Sequence, residues 1–114
     1  MFFTHLLDEV LRAKRSRREI ERRECLSRVF EALSTLAREI PFDEAYVFGS
    51  LAKPGRFVKG SSDVDIGFIG LRDEHFFRAG ALLSTMLCSD VDVVQLEGHP
   101  LAERVKEEGI RWMH

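Results

Sequence analysis

With 114 residues, 45% hydrophobic and 32% charged, the chain has enough apolar material for one domain with a single core and too much to be disordered. No apolar run approaches membrane-spanning length, and the start, Met1-Phe2-Phe3-Thr4-His5-Leu6-Leu7-Asp8-Glu9, lacks the basic n-region of a signal peptide, so a cytoplasmic location is expected. The net charge of −2 hides an asymmetry: residues 12–23 hold seven Arg/Lys against Glu19 and Glu21, net +5, which leaves −7 for the rest.

In chain order, Phe3, Leu6, Leu7, Val10 and Leu11 fall at helical spacing. The basic strip that follows has no Gly or Pro and only Ala13 and Ile20 as apolar residues. It reads as a solvated helix surface with mixed-sign neighbours such as Arg15–Glu19 and Arg17–Glu21. It contains no aromatic residue, which argues against nucleic acid, while contact with a partner stays open. Leu26, Val29, Phe30, Leu33, Leu36, Ala37 and Ile40 form a clean helical stripe that Pro41 stops. The pattern predicts two helices, or one long helix with an exposed middle.

A short apolar strand is predicted at residues 45–48, then a connection containing Pro54, Gly55 and Gly60 that opens with a brief helical turn. A second strand covers residues 64–69. Asp73 is expected to cap a helix through Phe76, Phe77, Leu82, Leu83, Met86 and Leu87. A third strand runs over residues 90–96, and Pro100 opens a last helix through Leu101, Val105 and Glu108 that ends at Gly109. The sum is a small mixed sheet flanked by helices, an α/β (α+β) arrangement. Cys25 and Cys88 show no metal or redox spacing and are expected to be reduced thiols lining the core. His5, His75, His99 and His114 show no ligand spacing either.

The chemistry concentrates in two strands. Asp63 and Asp65 lie two residues apart at the head of the second strand, so they project to one face. Asp65 interrupts a segment that is otherwise apolar on both faces, and a buried carboxylate needs a reason. Two close carboxylates repel, and a divalent cation such as Mg²⁺ relieves the conflict. Asp92 is again a single acid in an apolar strand and completes a three-carboxylate cluster if the second and third strands are neighbours; Asp90, at the strand mouth, reads as a turn residue. Gly49 and Ser50 end the first strand in a small turn whose N–H groups and hydroxyl suit a phosphate. Lys53 is the best placed of the loop cations (Lys53, Arg56, Lys59) to neutralise phosphate, and Ser61 and Ser62 are expected to tie down the turn before the strand.

Gly49-Ser50, then Asp63-x-Asp65, then a later strand acid resembles the nucleotidyltransferase superfamily that includes DNA polymerase beta, and the short length resembles its minimal nucleotidyltransferase branch. The resemblance runs from about Leu26 to the end, through Tyr46–Lys53, Ser62–Gly67, Val91–Leu96 and the tail from Leu101 to Gly109. It implies a nucleotidyltransferase domain over residues 26–114 preceded by a helical extension, residues 1–25, that has no counterpart in the family core. The connection between Ser50 and Asp63 is about two residues longer than is usual for the family. The resemblance implies transfer of AMP from ATP, with Asp63, Asp65 and Asp92 as catalytic residues holding two Mg²⁺ ions and Asp92 assisting deprotonation of the acceptor. Gly49, Ser50, Lys53 and Ser62 would bind the nucleotide. It further implies a HEPN-domain toxin as partner, with a hydroxyl, of tyrosine by expectation, as acceptor. The alternative is a non-catalytic antitoxin that masks its partner sterically. Aminoglycoside-type small-molecule transfer is disfavoured, since such enzymes carry an added helical domain. A homo-oligomer is compatible with the sequence.

Overall fold

The computed structural model describes residues 2–113, the side chain of Phe2 excepted. A single helix, α1 (Phe2–Glu39), occupies the first third of the chain. With no Gly or Pro to interrupt it, one 38-residue helix forms rather than two. At 1.5 Å rise per residue it is about 57 Å long, which nearly equals the 60 Å long axis of the molecule. Core contact begins at Cys25 and continues through Val29, Ala32, Leu33, Leu36 and Ile40. The strip at residues 12–23 is exposed apart from Glu19, Glu21 and Arg22, which are half-buried. Glu19 pairs not with Arg15 but with Arg22 at 2.9 Å and Arg23 at 3.1 Å.

Strand β1 (Glu44–Phe48) leads into a 3-10 turn (Gly49–Ala52). Then come β2 (Val64–Ile69), α2 (Asp73–Leu87), β3 (Val91–Gln95), α3 (Ala102–Glu108) and β4 (Ile110–Trp112). The sheet order is β3-β2-β1-β4. The β1–β2 and β1–β4 pairs are antiparallel, and β2–β3 is parallel. The parallel pair is joined by α2, as a crossover requires. This is the mixed sheet expected from the pattern, with one strand more. β4 is only three residues long, too short for an alternating pattern to separate it from the tail of α3. Its Trp112 is buried and meets Phe42 in a tilted ring contact, centroids 5.3 Å apart.

The two faces of the sheet differ. Ala45, Val47, Val64, Ile66 and Phe68 pack under α1 and α2 as the main core. The other face carries Tyr46, Phe48, Val94 and Leu96 against Val105 and Ala102 in a smaller cluster. α3 covers only part of that second face, which leaves the ends of β2 and β3 open.

Two local expectations change. Asp73 is the first residue of α2 rather than its cap, and its carboxylate accepts a 2.8 Å hydrogen bond from the Gln95 amide. Cys25 is buried as expected, but Cys88 is exposed, because it sits in the left-handed conformation (φ 50°) that ends α2 and turns its side chain outward.

Candidate active site

The carboxylates are placed by strand register. Asp65 of β2 stands opposite Phe48 of β1 and beside Asp92 of β3, so one rung across three strands reads Phe48, Asp65, Asp92. All three side chains point to the face that α3 covers incompletely. Asp63 lies two positions earlier, just ahead of β2, where the Asp90 carbonyl accepts a 3.2 Å hydrogen bond from Val64 N–H.

Asp65 is half-buried, and both Asp63 and Asp92 are exposed. Burial, then the charge and hydrogen-bonding contact of Asp92, then the charge of Asp63 push the Asp65 carboxyl up to about 6. A carboxylate with such proton affinity at the edge of a solvent-open face suits cation binding or proton transfer. Among the described residues, no three His, Cys, Asp or Glu side chains converge closely enough to hold a metal ion. Asp65 and Asp92 meet, whereas Asp63 reaches them through its field alone. The donor set therefore fits a cation at two positions, and the third expected ligand stands apart.

Gly49 packs against Asp65. Its φ is +74°, and a Cβ added there would collide with Oδ2 of Asp65. Only glycine satisfies both the left-handed backbone and the close approach. The turn of Gly49 and Ser50 thus lies against the Asp65 carboxylate. The turn is held from outside: the Arg22 guanidinium donates a 3.0 Å hydrogen bond to the Leu51 carbonyl while Glu19 grips the same group at 2.9 and 3.0 Å. Nothing in the sequence paired Arg22 with Leu51, 29 positions away.

The other expected ligands are differently engaged. Lys53 is half-buried and pairs at 3.4 Å with Glu108 of α3, which also pairs at 3.2 Å with Arg104. The Ser62 hydroxyl accepts a 3.0 Å hydrogen bond from Val58 N–H, and the Ser61 and Ser62 N–H groups both donate to the Val58 carbonyl. Ser62 therefore pins the loop before β2. A cavity of about 190 Å³ opens beside the turn, lined by Phe48, Gly49, Lys53, Leu101, Arg104 and Glu108 among others. Phe48, Leu101 and Arg104 were not singled out from sequence. Only the i,i+4 spacing of Arg104 and Glu108 offered a signal.

A solved structure described as a candidate minimal nucleotidyltransferase matches with a TM-score of 0.58 at 29% identity, over 90% of this chain and 92% of that one. This chain has the minimal nucleotidyltransferase fold. No family model and no curated protein sequence matches it. The nucleotidyltransferase likeness thus spans nine-tenths of the chain.

Proposed function

We propose that this domain transfers AMP from ATP to a hydroxyl, that of a tyrosine on a HEPN-type toxin, and thereby acts as its antitoxin. The contact of half-buried Asp65 with exposed Asp92, set against the Gly49 turn, is the observation that carries this reading. Asp65 and Asp92 would hold Mg²⁺, with Asp63 drawn in as the third ligand. When bound, the metal supplies positive charge at the triphosphate oxygens. The N–H groups of Gly49 and Ser50 face the β- and γ-phosphates, and Lys53 exchanges Glu108 for phosphate oxygen. Asp92, on the edge strand and exposed, takes the proton of the acceptor hydroxyl. The acceptor oxygen bonds to the α-phosphorus, the bond to the β-phosphate breaks, and pyrophosphate leaves in line. The open side of the sheet leaves little of the chain to enclose a small acceptor, and a docked protein surface supplies the missing wall.

The rival reading is a binding protein of the same fold, and one observation favours it: among the described residues no three ligands converge. The two are separated by incubating the partner with the chain, ATP and Mg²⁺ and weighing it. Transfer adds one AMP to the partner, and Asp92→Asn prevents this while much of the complex survives. Calorimetry should show Mg²⁺-dependent ATP binding that is lost in the folded Asp63→Asn/Asp65→Asn variant. If the partner never gains mass, and the triple Asp63/Asp65/Asp92→Asn variant neutralises it as well as the wild type does, the binding reading stands.

A further inference from the structure

The first three turns of α1 expose Phe3, Leu6, Leu7, Val10 and Leu11, each between 41% and 77% accessible. None of them belongs to either hydrophobic cluster. Isolated surface leucines are ordinary, but five large apolar side chains on one stripe are not. Together they present on the order of 500 Å² of apolar surface, the size of a functional patch.

We infer that this stripe pairs antiparallel with the same stripe of a second copy. Three features select that occupant. First, the sequence is palindromic in polarity: the doublets Phe2-Phe3, Leu6-Leu7 and Val10-Leu11 repeat every four residues about a centre between Leu6 and Leu7. Reversing one helix places Phe3 level with Val10 and Leu6 level with Leu7, so the patch is its own complement, as a two-fold interface demands.

Second, charge selects the orientation. In the antiparallel pair the two strips of net charge +5 point to opposite ends. A parallel pair would lay those strips side by side and be repelled. Third, there is clearance. The partner's helix ends near the level of Leu11, and the body is first met at Glu19–Arg22, where Arg22 reaches Leu51. The intervening residues span about 10 Å of helix.

Pairing the two stripes buries about 1,000 Å² in all, at the low end for a specific interface. The dimer is therefore weak and reversible, with a dissociation constant in roughly the micromolar range. The inference is independent of the transferase reading, since no residue of the carboxylate site takes part.

The test is sedimentation equilibrium of the full chain from roughly 1 to 200 µM. The wild type should pass from monomer to dimer across that range, and Leu7→Asp should stay monomeric with the same melting temperature, because Leu7 lies outside the core. Orientation is read in a Cys88→Ser background: Phe3→Cys, on the stripe, should cross-link to Val10→Cys in a mixture of the two variants. A wild type that stays monomeric throughout, a Leu7→Asp variant that dimerises equally, or Phe3→Cys cross-linking to itself in preference would each overturn the inference. So would flotation of a monomeric wild type with anionic phospholipid vesicles, which would assign the stripe to a lipid surface.

Discussion

Replacing Asp65 by Asn should stabilise the metal-free domain, and only above a definite pH. In the folded chain the Asp65 carboxyl is raised from 3.8 to about 6 by burial and by Asp92. The folded state therefore holds this proton more tightly than the unfolded chain, and stability falls as pH rises between about 4 and 6. Two units correspond to at most about 3 kcal/mol. Partial exposure of the carboxylate screens that to roughly 1–2 kcal/mol. Asn keeps the shape and carries no charge, so the variant lacks this fall. Urea unfolding with a chelator present should give nearly equal stabilities for the two proteins near pH 4. By pH 7.5 Asp65→Asn should be ahead by roughly 1–2 kcal/mol, or about 5–10 °C in Tm for a domain of this size. Parallel pH profiles, or a variant less stable at pH 7.5, would refute the placement of Asp65 against Asp92.

Gly49→Ala should lose about 1–3 kcal/mol from the left-handed backbone and the collision with Asp65, and Gly49→Ala/Asp65→Ala should recover part of it in a double-mutant cycle by urea unfolding. Arg22→Gln removes the charged hydrogen bond to the Leu51 carbonyl, so hydrogen exchange at Leu51 and Ala52 should speed up while β2 amides stay protected. Trp112→Ala should cost about 3–5 kcal/mol, measured by denaturant titration, since it empties the buried contact between β4 and Phe42.

The strands bearing acids were legible because Val64–Ile69 and Val91–Gln95 are apolar segments interrupted by one Asp each. Helix α1 was legible as a stripe, and the absence of Gly and Pro explains its continuity. What sequence left open was order and register. Local pattern says nothing about which strands are neighbours, so the meeting of Asp65 with Asp92 stayed conditional until β2 and β3 were seen to pair. The same limit hid β4, whose three residues are fixed by pairing with Ala45, Tyr46 and Val47. It hid the engagement of Lys53 by Glu108 and of Leu51 by Arg22, because both join segments brought together only by the fold. The Ser62 turn, a contact four residues long, was within reach of local reasoning.

Helix α1 is one unbroken piece of backbone and two thermodynamic regimes. From Cys25 onward its amides are locked under the core, and they open only when the whole domain does. Ahead of Glu19 nothing but intrinsic propensity and neighbouring side chains sustains the coil, and isolated helices of that length are marginal in water. Protection against solvent hydrogen should therefore fall away along a single continuous rod, with the step near the Arg22 anchor. The outer turns then work as a gauge. Their order is borrowed from whatever rests on them, and the slowing of their exchange measures how much of the time they are occupied.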